Sequence, residues 1–274
     1  MSDPAQLSAV RGPIDADAVR KELGRRGSSW PAPRFVSTVE STNAQASAAA
    51  RDGAPEGFVV VAEEQTSGRG RLDRSWVSPR GSGLTLSLLL RPAPPPGTWG
   101  WLPIAAGLAL VTAVRAVADV DVALKWPNDL LLGPGQAKAA GILAESGHGS
   151  VVIGIGVNVS TTTEELPAGA TSLLAQGALV SREALLIELL IALEVWYAAW
   201  TEADGSALSS GLMAGYLDCC ATVGGAVTVH LPQGGMLRGK AEGIDPSGGL
   251  RVLADGGQVT TVVAADVVHV RPGD

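Results

Sequence analysis

Short, wholly apolar runs alternate along this chain with turns marked by Gly and Pro, and that alternation sets the expected elements. Arg34 to Val39, Phe58 to Ala62 and Leu84 to Leu90 read as strands. The Phe58 run has no polar break, which predicts a central strand covered on both faces. Between the first two strands, Ser41 or Thr42 can N-cap an Ala-rich helix that runs to Arg51 and stops at Gly53. Trp101 to Val120 predicts a core helix, and strand-like runs follow at Val122 to Trp126, Ala140 to Ala144 and Val151 to Val159. Leu185, Leu189, Ile191, Leu193, Trp196 and Trp200 are spaced to suit a helix with a broad buried face within Arg182 to Trp200. Ile14 to Leu23 can form one short helix near the start.

Near Asp218 the pattern changes. Val227 to Leu231, Met236 to Ile244, Leu250 to Ala254 and Val259 to Val263 are short β-rich stretches separated by turns at Gly234-Gly235, Gly248-Gly249 and Asp255-Gly256. This spacing predicts a small antiparallel barrel. The expected organisation is a short N-terminal segment (1–33), a larger domain (34–217) and a small C-terminal domain (218–274). The class is α+β, with a mixed β-sheet flanked by helices ahead of the barrel.

Composition narrows the possibilities. The 274 residues are 46% hydrophobic, enough for a real core. A net charge of −7 argues against general affinity for nucleic acid, so any basic site must be local. The two cysteines are adjacent, Cys219-Cys220, and read as reduced thiols of a cytoplasmic chain. His148, His230 and His269 have no metal-ligand spacing, so no protein-held metal is expected. Arg115 and Asp119 interrupt the Trp101 run before it reaches the roughly 20 apolar residues a bilayer needs, and Asp3, Asp15 and Asp17 argue against a signal peptide.

The densest chemistry lies in Gln65 to Trp76, where Arg69, Arg71 and Arg74 accompany Gly68 and Gly70 just after a strand. Glycines let the backbone approach a ligand, and guanidinium forks suit carboxylate and phosphate oxygens, so the loop is suited to wrapping an anion. A solvated basic turn is the alternative for the loop taken alone. Gly154-x-Gly156 does not continue into a dinucleotide-binding fingerprint, because Val159 stands where a third Gly is required.

Taken together with Glu40-Ser41-Thr42-Asn43, Lys125-Trp126-Pro127-Asn128-Asp129, Lys138-Ala139-Ala140-Gly141-Ile142-Leu143 and Gly154-Ile155-Gly156-Val157-Asn158, that loop resembles the biotin protein ligases in order and spacing. The resemblance implies a class II synthetase-like catalytic domain and an SH3-like C-terminal domain. It implies an ATP-dependent ligase that forms biotinyl-5'-AMP and passes biotin to a lysine of a biotin carboxyl carrier domain. ATP, Mg²⁺ and biotin would be needed, with Mg²⁺ arriving on ATP. By resemblance Arg69 and Arg71 contact biotin and the activated phosphate, and Lys138 bridges carboxylate and α-phosphate oxygens. Ser41, Thr42, Asn43 and Gln65 hold biotin's ureido ring, with Gly68, Gly70 and Gly141 beside the ligand. Arg74, Trp76, Asn128, Asp129 and Asn158 are assigned to the adenylate.

Some roles stay open at this level. Trp76 is either an adenine-stacking residue or a core anchor. Asp129 anchors its loop, orders a water on Mg²⁺ or assists the incoming lysine. Leu72-Asp73 stands where many relatives carry further Arg or Gly. The thirty residues before Trp30-Pro31-Ala32-Pro33 leave no room for a winged helix-turn-helix, so a form without DNA binding is expected, as a monomer or weak homodimer. A lipoate or octanoate ligase of the same fold and a non-enzymatic biotin-sensing regulator are the alternatives.

Overall fold

The computed structural model describes residues 7, 10–72, 74–231, 234–263 and 266–269. Asp73, and residues 264–265 and 270–274 of the C-terminal region, lie outside the described residues.

Seven strands form one sheet. In chain order they are β1 (Arg34–Val36), β2 (Val59–Ala62), β3 (Gly83–Leu90), β4 (Val122–Lys125), β5 (Asp129–Leu132), β6 (Ala137–Gly147) and β7 (Ser150–Asn158), arranged β1-β2-β3-β7-β6-β5-β4. The β1–β2 pair is parallel and the others are antiparallel. All four residues of β2 are buried, yet the strand lies one in from the edge, and the centre belongs to β3, β7 and β6. Strand β5 is not among the elements expected from the sequence, which leaves Asp129 on a loop. Its apolar run, Leu130-Leu131-Leu132, is only three residues long, too short to announce a strand by itself.

Period-2 alternation gives the sheet two unlike faces. Leu84, Leu86, Leu88 and Leu90 of β3 and Val151, Ile153, Ile155 and Val157 of β7 join the main core. Helices α1 (Ala16–Arg25), α3 (Trp101–Val117) and α4 (Arg182–Glu202) contribute to that core. The residues between, Thr85 and Ser87 on β3 and Gly154, Gly156 and Asn158 on β7, are small or polar. Helix α2 (Thr42–Arg51) covers part of their face through a small cluster of Ala46, Leu89 and Val152. The remainder of that face is the floor of a cavity.

By length and composition α4 could cross a membrane. Its Leu185, Leu186, Leu189 and Trp200 are buried in the core, so it is a core helix here. Helix α5 (Leu212–Cys219), which the sequence reading did not anticipate, buries Leu212 and Tyr216.

Beyond α5, strands β8 (Ala226–His230), β9 (Met236–Ile244), β10 (Leu250–Ala254), β11 (Val259–Val262) and β12 (Asp266–His269) form an antiparallel sheet in the order β11-β10-β9-β8-β12, compatible with an SH3-like domain. The turn between β9 and β10 docks on the larger unit. Trp101 Nε1 donates to Pro246 O at 3.0 Å, and Trp126 Nε1 donates to Gly248 O at 3.1 Å. Asp245 Oδ1 holds that turn by accepting from the Ser247 and Gly249 amides at 2.8 and 2.9 Å.

Candidate active site

At the start of α2, Ser41 takes extended dihedrals and its Oγ accepts from the Ala44 amide at 3.4 Å, the geometry of an N-cap. The next two side chains turn inward and are buried. The Thr42 amide and hydroxyl both donate to Gln65 Oε1, at 2.7 and 3.0 Å, so the Gln65 amide group keeps its NH₂ as the unspent end, beside Gly68. Asn43 Nδ2 donates to Glu145 Oε2 at 2.6 Å and to Leu143 O at 3.4 Å. Ser87 Oγ lies 2.7 Å from Thr42 Oγ1 and donates to Asn43 Oδ1 at 2.6 Å. Every polar atom of the Asn43 amide is thus engaged by protein. A Cβ at Gly154 would lie 2.1 Å from Asn43 Oδ1, so only glycine fits beneath it. Ser87 and Glu145, both absent from the sequence reading, therefore decide how Asn43 is held. The alternation of Thr85 and Ser87 with the leucines of β3 was the available signal.

The arginine loop is tied to the rest by a bridge between Val39 and Gln65 and by the Thr66 and Ser67 amides, which donate to Val39 O and Glu40 O, each at 2.9 Å. Trp76 N donates to Gly68 O at 2.9 Å and Gly70 N to Arg74 O at 2.6 Å, giving a hairpin-like turn. Any side chain at Gly68 would press into Trp76 O, with its Cβ 2.3 Å away. Trp76 is outside the apolar core and its indole lies across the glycines of the cavity floor, 2.5 Å from where a Gly156 Cβ would stand. The core-anchor reading of Trp76 is thereby removed. Leu72 is left-handed at φ 53° and 58% exposed at the turn's tip.

Opposite the loop, a bulge in the β5–β6 pairing lets Lys138 face Leu131 while Ala140 faces Leu130. The Lys138 ammonium lies 2.6 Å from Asp129 Oδ1 and passes close to Gly141. Asn128 Nδ2 donates to Ile142 O at 2.8 Å, and buried Asn158 donates through Nδ2 to Thr171 O at 3.0 Å. Through these bonds the two amides fasten the walls of the cavity that they also line.

One wall is the segment Thr161 to Thr171. It joins β6 through Lys138 N to Gly169 O at 3.3 Å and Thr171 N to Lys138 O at 2.8 Å. Within it, Glu165 is gripped by Arg11, and that grip holds its carboxyl at about 2, well below the ordinary value, despite the opposing effect of burial.

The cavity enclosed by these elements has a volume of about 590 Å³. Ser41, Thr42, Asn43, Gln65, Arg69, Gly70, Arg71, Arg74, Trp76, Asn128, Asp129, Lys138, Gly141 and Asn158 all line it. Gly68 does not; it is buried under the Trp76 carbonyl. Gly154 and Gly156 of the last motif line it as well, and among the lining residues that sequence reasoning missed are Thr85, Glu165, Leu166 and Pro167. Among the described residues no three His, Cys, Asp or Glu side chains cluster to hold a metal. The arrangement is a polar socket at the α2 end and a rim of three arginines, with one lysine on the floor beside a carboxylate.

Comparison with known proteins agrees with this layout. A biotin/lipoate A/B protein ligase family model matches residues 36–161, and a biotin protein ligase C-terminal domain model matches residues 222–270. A biotin--[acetyl-CoA-carboxylase] ligase of Mycobacterium tuberculosis is 40% identical over 268 residues, 96% of this chain and 98% of that protein. The bifunctional ligase/repressor BirA of Bacillus subtilis is 34% identical over 243 residues, 85% of this chain and 72% of that protein. A solved biotin protein ligase from Aquifex aeolicus, in complex with biotin and ATP, superposes with a TM-score of 0.72 at 25% identity, covering 88% of this chain and 99% of that one.

Proposed function

The chain belongs to the biotin/lipoate A/B protein ligase family, and from that premise we infer that it activates biotin with ATP and transfers it to a lysine of a carboxylase's biotin carboxyl carrier domain. The observation that carries this reading is the meeting, in one cavity, of a polar socket with a cationic centre of Arg69, Arg71, Arg74 and Lys138.

Biotin's carboxylate is a poor electrophile. In the first step its oxygen attacks the α-phosphorus of ATP, the bond to the bridging oxygen breaks, and pyrophosphate leaves. In the second, a neutral lysine amine of the acceptor attacks the acyl carbon; AMP departs with the bonding pair and the amine loses a proton. Negative oxygens converge in the first step, so fixed cations stabilise its transition state more than its ground state. Lys138 is assigned to the carboxylate and α-phosphate oxygens, and Arg69 and Arg71 to biotin and the phosphate. Gln65, with its oxygen already held by Thr42, offers its NH₂ to the ureido carbonyl. Trp76 and Arg74 are assigned to the adenylate. Asn43, Asn128 and Asn158 act by holding walls in place.

Mg²⁺ would be held chiefly by the triphosphate it accompanies and would neutralise its oxygens, since the two carboxylates that line the cavity, Asp129 and Glu165, are paired with Lys138 and Arg11. We place the protein in the cytoplasm as a monomer or weak homodimer that does not bind DNA. A lipoate preference is disfavoured, because the Gln65 NH₂, left over once its oxygen is held by Thr42, would go unmet against an apolar dithiolane. The test is transfer of radiolabelled biotin to a carboxyl carrier domain with lipoate as competitor. ATP-dependent labelling that excess lipoate leaves intact is the expected result; preferential transfer of lipoate, or none of either, overturns the reading.

A further inference from the structure

We propose that Arg11, which does not line the cavity itself, is a positioning residue that fixes the Glu165 wall against the nucleotide half of the cavity. The inference rests on the ligase reading and adds to it a role for the segment ahead of α1.

Arg11 grips Glu165 as a fork. Nη1 donates to Oε1 at 2.9 Å and Nη2 donates to Oε2 at 2.6 Å, while Nη2 also reaches Ser160 O at 2.6 Å. The side chain of Arg11 is only 18% exposed. An exposed pair contributes little, but a two-point fork on a partly buried pair restricts both partners in direction as well as distance. Glu165 Oε2 also accepts from the Thr162 amide at 2.9 Å, so the carboxylate ties Arg11 to the turn of its own wall.

Arg11 is itself anchored. The chain after it is held by Arg182 Nη2, which donates to Gly12 O at 2.6 Å, and by Glu63 Oε1, which accepts from Ile14 N at 2.8 Å. Arg182 and Glu63 pair at 2.7 Å, and Arg182 is almost fully buried. On the other side, Gly81 gives the Arg11 carbonyl its place: a Cβ there would lie 2.4 Å away. The residues next to Glu165, Leu166 and Pro167, line the cavity, and the wall's far end is bonded to the backbone of Lys138. The strap from Arg11 to Ile14 therefore presses one apolar wall toward the space between Asn158 and Lys138. That space is the half assigned to the nucleotide; the ureido socket at Thr42 and Gln65 shares none of these contacts.

Separate titrations of the full chain with biotin and, in saturating biotin, with a non-hydrolysable ATP analogue test this. Arg11→Gln should weaken the analogue about tenfold while changing biotin affinity less than about twofold. Arg11→Lys should recover part of the loss, since one ammonium cannot reproduce the fork, and the reversed pair Arg11→Glu with Glu165→Arg should recover more than either single change. Analogue binding unchanged in Arg11→Gln overturns the proposal. So does equal weakening for both ligands, which would mark a general loss of structure, as would failure of the reversed pair to improve on its single variants. A parent that binds neither ligand overturns the ligase reading and the proposal with it, whereas a parent that binds both leaves only the Arg11 comparison to decide.

Discussion

Lys138 and Asp129 form an ion pair at 2.6 Å across neighbouring strands, with the lysine 39% and the aspartate 19% exposed. The cation facing the cavity is thus held in direction before any substrate arrives, and incoming carboxylate and phosphate oxygens compete with a partner already there. Replacing Lys138 by Ala should leave the fold intact and slow adenylation by roughly two to four powers of ten, the range for removing an electrostatic stabiliser of a transition state. Biotin-dependent pyrophosphate release measures it, and a near-normal rate would make the lysine structural only.

Gly154 tests the polar socket. A Cβ there would stand 2.1 Å from Asn43 Oδ1, and Asn43 cannot retreat without breaking its bonds to Ser87 and Glu145. Gly154→Ala should raise the KM for biotin by about tenfold or more and lower stability by about 1–3 kcal/mol, the range for overpacking. Steady-state kinetics beside thermal melts read both; an unchanged KM would detach Asn43 from biotin recognition.

Arg71 tests retention of the intermediate. Removing its guanidinium should cost a charge-assisted contact of about 1.5–3 kcal/mol, so Arg71→Gly should release biotinyl-5'-AMP about one to two powers of ten faster. The variant should consume ATP without acceptor faster than the parent and label bystander proteins. Gel filtration of the preformed adenylate complex gives the answer, and equal retention by variant and parent would refute the assignment.

Glu165 predicts a pH signature. Its carboxyl is depressed from 4.5 to about 2, with the Arg11 fork as the largest cause. A depressed carboxyl stabilises the fold fully above the unfolded value, and that contribution fades as pH falls from 4.5 through about 2. The stability gap between the parent and Arg11→Gln should therefore be widest above pH 4.5 and narrow toward pH 2. Urea midpoints at about pH 6 and about pH 2.5 make the comparison; a gap independent of pH would mean that Arg11 acts through packing alone.

Local physics made much of this protein legible in its sequence. Ser41 as cap and Gly53 as stop bound α2 correctly, because capping needs only neighbours in the chain. Met236–Ile244 and Leu250–Ala254 emerged with their predicted limits, since Gly-rich turns punctuate them. Fourteen of the fifteen candidate site residues, most of them implied by the family resemblance of the motifs rather than by local pattern, line one cavity, the exception being Gly68.

What the sequence left undecided depends on partners distant in the chain. Strand β5 exists because β4 and β6 flank it on either side, not because Asp129-Leu130-Leu131-Leu132 announces a strand. Asn43 looked like a free hydrogen-bonding group until Ser87 and Glu145, 44 and 102 residues away, were seen to occupy it. Arg11 reaches Glu165 across 154 residues, and nothing near either one marks the pair. Composition and periodicity determine which residues can cap, bury or carry charge; which carboxylate meets which cation is decided only when the sheet brings the segments together.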